Sequence, residues 1–507
     1  MGASEATLKA PAPQRYRRVT VIRTKDGDTK GWIRIQEVAL GIDQSGGAQA
    51  AGIFVAPDQA VPRPWLGFGG SFTEASTETL RRMSPEQRME VLRACYDQEV
   101  GLAYNLGRVH IGSCDFSLGN WTCGDLPEGD AELNGFSLDH YKTSILPTIH
   151  DAAKLAGAPL AMLASPWSPP MWMKTKMEFH GDGHLKRECY AAWAYHFVRF
   201  VQEMEKLDVP IWAVSVQNEP EAAQIWESCI YTAEEERDFV RDHLGPALEA
   251  ADLGRVKIII WDHNRDGMLE RAAVAYADDL ASKYIWGVGY HWYGDARYET
   301  WPECHDVVYE DRKRGGSVQE LKARLGFENV RRLAELRPDK HIIFTEGCQE
   351  LSNRSLDDML GVWKIGERYG MNIINDMNHG CEGWIDWNLC LDEQGGPNHV
   401  GNFCSAPIIC DTSRGEILRQ PSYWYMGHFS RYIQPGACRA VSSASRDVLE
   451  VTSWVNPDGS LAVVVMNQST EDIEFWLKVQ GSGAVCTEAP ARSITTYLVD
   501  DAEIAEQ

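Results

Sequence analysis

The segment IWAVSVQNEP at residues 211–220, followed by AEEERDFVRDHLGPALEA at 233–250 and KIIIW at 257–261, reads as strand, helix, strand. The outer pieces are short apolar runs rich in Ile, Val and Trp and bounded by turn residues, while the middle piece repeats apolar residues at intervals of three and four. Two strands joined through a helix pair in parallel. The same alternation continues in both directions. Toward the N-terminus lie the runs 65–70, 104–110 and 159–165, and toward the C-terminus 286–291, 341–346 and 383–388, with helical patterns at 85–97, 139–156, 188–206, 267–282, 318–336 and 355–370. Eight strand–helix repeats predict an α/β chain folded as a (β/α)8 TIM barrel over 65–415, rather than an open doubly wound sheet, which more often has six strands and a nucleotide loop.

Beyond the barrel the period changes from helical to two. Runs at 448–454, 461–467, 473–479 and 493–499, with a turn at NPDG (456–459), read as antiparallel strands, and the N-terminal segment adds runs at 17–23 and 32–39. Two N-terminal strands are too few for a stable sheet. Residues 1–64 and 416–507 are therefore expected to share one antiparallel β-sandwich built from both chain ends.

Composition narrows the function. The chain has 507 residues, 44% of them hydrophobic, and a formal net charge of −24. It can bury a large core, and its charge repels phosphate backbones and anionic lipid headgroups. No nucleic-acid partner and no membrane span are expected. The first thirty residues lack the apolar core of a secretory signal, which predicts a cytoplasmic chain, or a secreted one if a leader has been removed. Thirteen cysteines without a dense, even framework predict reduced thiols. Cys390, His399, Cys404 and Cys410 lack the paired spacing of a zinc site, and HExxH, a Walker loop and GxGxxG are all absent. No metal or cofactor is expected.

In such a barrel the active site lies at the carboxyl ends of the strands. Glu219 ends the fourth strand and Glu346 ends HIIFTE, the seventh. A pair of carboxyls facing each other across a barrel mouth suits a retaining glycosidase, one acting as acid/base and the other as nucleophile. Asn218 can donate to a sugar 2-hydroxyl, and Arg108 and His291 can orient and ionise Glu346. Trp167, Trp292, Tyr293 and Trp387 at strand ends offer faces for pyranose stacking. Glu219 is expected to have its pKa raised by burial and by the Glu346 charge, while Arg108 keeps Glu346 ionised.

The motifs GFGGSFTEA (67–75), NLGRVHIGSCDFS (105–117), LASPWSPPMWMKT (163–175), AVSVQNEP (213–220), HWY (291–293), FTEGC (344–348), GWIDWNLCLDEQGGPNHVGNF (383–403) and GHFSRYIQPGA (427–437) occur in this order. They resemble glycoside hydrolase family 30, most of all its glucosylceramidase branch, over roughly residues 65 to 500. The resemblance implies a retaining, exo-acting β-glucosidase or glucosylceramidase-like enzyme acting on a β-linked glycoside. It assigns Glu219 as acid/base and Glu346 as nucleophile, and places Trp167, Asn218, Trp387 and Asn402 along the sugar subsite. Glu74 stands where the branch has Asp among its sugar-binding positions, and His399 where it has Trp. With the short loop 221–228, these departures keep endo-β-1,6-glucanase and β-xylosidase activities of the same family as alternatives. A non-catalytic carbohydrate-binding protein could keep the tryptophans yet dispense with one glutamate. A metal-dependent hydrolase would have to draw its ligands from His110, His291, Asp262 and Asp386.

Overall fold

All eight apolar runs become strands of a closed parallel barrel in the computed structural model, which describes residues 15–27, 31–44, 50–294, 326–351 and 354–501. In chain order the barrel strands are Phe68–Ser71, Leu106–Ile111, Ala161–Pro166, Ile211–Ser215, Lys257–Asn264, Ile285–His291, His341–Glu346 and Trp384–Asn388. The eighth pairs with the first, Trp384 opposite Phe68, which closes the ring and leaves no edge. Leu106, Leu163, Ala213, Ile259, Ile343 and Ile385 form a buried cluster drawn from six strands. Gly69 allows the first strand to approach the second, because a Cβ there would lie 2.3 Å from the Leu106 carbonyl oxygen.

The helices follow from local signals. Pro85–Tyr96 opens with a reciprocal capping box between Ser84 and Gln87, and Ile145–Ala156 stops at Gly157 in the left-handed region. The pattern at 233–250 is helical throughout but carries a π-helical stretch at Val240–Leu244. Of the other expected helices, 139–156 opens with a 3-10 turn at Asp139–Lys142, 267–282 is split into Met268–Tyr276 and Asp279–Ser282, and two more shift. The helix expected at 355–370 is Trp363–His379, because Gly361 takes a φ of 69° and holds the chain in turns until Val362. Of the helix expected at 318–336, Phe327–Leu336 is seen and 318–325 lie outside the described residues. A further helix, Glu74–Arg82, follows the first barrel strand directly.

The chain divides into two compact units, 65–431 and 1–64 with 432–507. The first runs past the expected boundary at 415, because Pro421–Ser430 forms a helix that packs on Trp363–His379. Gly366 lies so close to Tyr425 that a Cβ would sit 2.5 Å from its ring.

The second unit has nine strands in one hydrogen-bonded order: Ile33–Ala39, Arg18–Lys25, Ser493–Asp500, Leu461–Asn467, Leu449–Val455, Cys438–Ala444, Gly52–Pro64, Ile473–Val479 and Gly483–Ala489. The thirteen-residue strand Gly52–Pro64 links the two layers. It pairs antiparallel with Cys438–Ala444 through irregular register, and parallel with Ile473–Val479, the one departure from the expected antiparallel pattern. The layers close over Val19, Val21, Val463, Leu477 and Tyr497, with the rings of Phe475 and Tyr497 edge to face at 5.9 Å. Among the described residues no helix is long and apolar enough to cross a membrane.

Candidate active site

Barrel strand two, LGRVHI, is buried at every position, and its third residue carries a guanidinium into the barrel mouth. Arg108 Nη1 donates to Glu346 Oε2 at 2.5 Å, Nη2 to Asn218 Oδ1 at 2.8 Å and Asp262 Oδ2 at 3.0 Å, and Nε to Ser165 Oγ at 3.1 Å. Its charge lies over the rings of Trp167 and Trp387, at 4.8 and 5.4 Å. Those two rings stack on each other, 5.2 Å between centroids.

Asp262, at the end of strand five, is the second hub. It accepts from Arg108 and from the hydroxyls of Ser165 (3.1 Å), Ser215 (2.5 Å) and Thr345 (2.6 Å), and from His291 Nε2 at 3.1 Å. The other ring nitrogen of His291 donates to Glu219 Oε1, also at 3.1 Å. The strand ends that carry these groups are strained. Glu219, Trp261 and Asp262 have φ values of 49°, 73° and 47°, and the Glu219 amide donates to the Asp262 carbonyl at 3.0 Å, tying strand four to strand five. Left-handed backbone at non-glycine residues costs of order 1–3 kcal/mol each and persists where the surroundings enforce it.

The neighbouring charges shift the proton affinity of each group. Burial works against a charge on His291, but Glu346, Asp262 and Glu219 outweigh it and push the imidazole up to about 9. Burial would raise Asp262, yet the Arg108 charge and the hydrogen bond from His291 hold it well below the usual carboxylate range. Glu219 is pushed up by burial and pulled below its ordinary value by the hydrogen bond from His291 and the charge of His263. Glu346 is raised by burial and by the Glu219 charge, against His291 and Arg108. This order is the reverse of the sequence expectation, and the reason is His291, whose Nδ1 proton goes to Glu219 rather than to Glu346. Glu219, His291 and Glu346 each bring one potential donor atom within 4.8 Å of the others.

A cavity of about 170 Å³ opens above this network, lined by Glu219, Glu346, Trp167, Asn218, Tyr293, Trp387 and Asn402 among others. Tyr293 Oη is 3.3 Å from Glu346 Oε1. The tertiary fold thus gathers seven of the residues picked from sequence around one hollow and sets Arg108 and His291 beneath it. Two lie elsewhere. Trp292 is buried in the wall, its Nε1 donating to the Cys348 carbonyl, its ring against Tyr369 and under the Arg368 guanidinium. Glu74 is not on the cavity surface. Its carboxylate accepts from His140 Nε2 at 2.7 Å, Trp121 Nε1 at 2.9 Å and the Leu118 amide at 3.1 Å. His110, a candidate metal ligand from sequence, has one ring nitrogen 2.5 Å from the Gly112 carbonyl oxygen and the other accepting from the Glu74 amide.

Residues 66–311 and 317–433 match the glycosyl hydrolase family 30 TIM-barrel domain, and 436–497 match the family's beta sandwich domain. The chain belongs to glycoside hydrolase family 30. It is a glycosidase. Lysosomal acid glucosylceramidase of Mus musculus is 34% identical over 443 residues, covering 85% of this chain and 80% of that protein. An endo-1,6-beta-D-glucanase of Trichoderma harzianum is 25% identical, covering 86% and 84%. Among solved structures, SrfJ from Salmonella typhimurium superposes with a TM-score of 0.84 at 32% identity, covering 96% of this chain and all of that one. The endo-beta1,6-glucanase BT3312 superposes at 0.78 with 26% identity, covering 95% and 99%.

Within this family 30 site, sequence reasoning passed over two residues. Asp262 was read only as a scattered metal ligand, although a charged residue closing the run KIIIW was a usable signal. Asp115 lies on the cavity wall, accepts from Asn402 Nδ2 at 3.2 Å, and is raised well above the usual carboxylate range by burial and by the Glu346 charge. Its motif SCDFS sits beyond the strand, in a loop whose path the pattern of apolar residues does not predict.

Proposed function

We propose that this glycosidase is a retaining, exo-acting β-glucosidase of glucosylceramidase-like type, with Glu346 as nucleophile and Glu219 as acid/base. The observation that carries the reading is the spacing of the two glutamates, whose nearest carboxylate oxygens lie within 4.8 Å. Double displacement uses carboxyls ~5–5.5 Å apart, whereas inversion needs ~6.5–9.5 Å to admit a water between them.

In the first step Glu219 protonates the glycosidic oxygen while Glu346 attacks the anomeric carbon, so the C–O bond to the aglycone breaks as a glycosyl ester forms. Glu219, now a carboxylate, takes a proton from water, which attacks the ester and releases the sugar with its β configuration. The first step needs the pair's proton on Glu219. A glycosidic oxygen bound beside Glu219 favours that arrangement, because only the protonated carboxyl can donate to it. Arg108 and Tyr293 both contact the Glu346 carboxylate and position it. Arg108 also fixes the Asn218 carbonyl oxygen, leaving the amide nitrogen to donate to the sugar 2-hydroxyl.

The substrate preference rests on the glucosylceramidase relatives and on the size of the hollow. At about 170 Å³ it is smaller than the ~300 Å³ at which drug-sized sites begin and suits one terminal sugar ring. The glucanase relatives support β-1,6-glucan as a second reading. A panel of aryl β-glucoside, aryl β-xyloside, glucosylceramide and β-1,6-glucan separates them. An activated 2-deoxy-2-fluoro-β-glucoside should label Glu346; a label on Glu219, or an inverted product by NMR, would overturn the mechanism.

A further inference from the structure

Cys348 lies two residues beyond Glu346, and Cys404 two beyond Asn402. A two-residue antiparallel ladder joins their segments, pairing Gln349 with Ser405 and Glu350 with Cys404. Cys348 Sγ stands 3.3 Å from Cys404 Sγ. Both side chains are buried, and both form part of the catalytic cavity wall. Tyr293 connects them to the chemistry, its hydroxyl 3.3 Å from Cys348 Sγ and 3.3 Å from Glu346 Oε1. The double displacement uses neither sulfur.

We propose that Cys348 and Cys404 form a dithiol modification site in the cavity wall, closed to a disulfide by a peroxide, and that closure lowers turnover. The Cys348 thiolate attacks one peroxide oxygen, the O–O bond breaks, and sulfenic acid and hydroxide form. The Cys404 sulfur then attacks the sulfenic sulfur, the S–O bond breaks, and water leaves. In sum two thiols lose two electrons and two protons, and hydrogen peroxide becomes two waters. Cys348 reacts first. Burial raises its thiol, but the hydrogen bond it shares with Cys404 and the one it accepts from Tyr293 partly offset this, whereas Cys404 is raised further by that shared bond and by burial.

The two sulfurs already lie 3.3 Å apart beside the ladder, so closure to a disulfide of ~2.05 Å draws them together by roughly 1.2 Å. That movement pulls Cys348 from Tyr293 and shifts the segment that carries Glu346. A displacement of about 1 Å at reacting groups costs on the order of 100-fold in rate. This effect on turnover rests on Glu346 as nucleophile; the disulfide itself does not.

The test treats reduced full-length protein with hydrogen peroxide, follows hydrolysis of an aryl β-glucoside, and maps peptides without reduction. The expected result is one cross-link joining the Cys348 and Cys404 peptides, lighter by two hydrogens, forming faster as pH rises. The kcat should fall roughly 10- to 100-fold and recover with dithiothreitol. Cys404→Ser should form no such link. Should that variant fail to fold, stoichiometric phenylarsine oxide, which bridges neighbouring thiols, should block the link in the wild-type protein. Links to other cysteines, sulfinic acid on Cys348 with no link, or a link that leaves kcat unchanged would overturn the proposal. A Cys348–Cys404 link in a protein that hydrolyses no glycoside would instead sink the proposed function and leave the modification site standing.

Discussion

Asp262 pairs with both Arg108 and His291 from one fully buried carboxylate and links the Arg108–Glu346 and His291–Glu219 pairs, so the floor of the site depends on its charge. Replacing Asp262 by Asn keeps the shape and leaves two buried cations short of an anion, which should cost about 3–5 kcal/mol of stability, read by denaturant unfolding. An unchanged midpoint would refute that role. His291 makes a pH prediction. Its pKa is raised from 6.5 to about 9, so the folded state binds its proton more tightly than the unfolded chain does. The stability it contributes is full below 6.5 and lost as pH rises through about 9. Thermal midpoints of the wild type should therefore fall across that window by more than those of His291→Gln. Glu219 makes a kinetic one. Glu219→Ala should lose roughly 10²- to 10⁴-fold on substrates with poor leaving groups and far less on activated aryl glycosides. Azide should rescue the second step and give a β-glycosyl azide; an α-azide would contradict retention.

The helix Glu74–Arg82 opens directly after the first barrel strand, capped by Thr73, whose side chain accepts from the Ser76 amide. Glu74 stands in its first turn and gathers His140, Trp121 and the Leu118 amide onto one carboxylate, so this element pins the loop after strand two against the barrel. Burial would raise Glu74, but the hydrogen bonds from His140 and Trp121 bring it down to about 2. A lowered pKa contributes stability above 4.5 that is lost as pH falls through about 2. Glu74→Gln should cost about 1–3 kcal/mol at neutral pH and flatten that acid limb. Since the carboxylate does not face the cavity, KM for an aryl glucoside should change little. A large rise in KM would show that Glu74 reaches the sugar after all.

At the scale of the molecule, the second unit depends on strands distant in sequence. Arg18–Lys25 pairs with Ser493–Asp500 along its whole length, residue 18 opposite 500 and 25 opposite 493. Deleting the chain through residue 44 would leave Ser493–Asp500 as a bare edge and uncover Tyr497 and Val499. The expected outcome is a lower thermal midpoint with aggregation in light scattering. A truncated chain that stays monodisperse and melts like the full one would show that these strands are dispensable.

The alternation of apolar strands with helical patterns determined the barrel by itself, because a period of two or 3.6 is a local property that survives in one dimension. The ends of those strands determined the two glutamates and most of the cavity wall, since a barrel brings all its strand ends to one face whatever the loops do. Tertiary structure alone decided the rest. That Trp292 faces the core while Tyr293 faces the cavity, that Glu74 turns to Trp121 and His140, and that Asp262 joins Arg108 to His291 all depend on contacts between residues far apart in the chain. Which glutamate takes the His291 Nδ1 hydrogen bond is decided there too, because that depends on distances that no sequence pattern encodes.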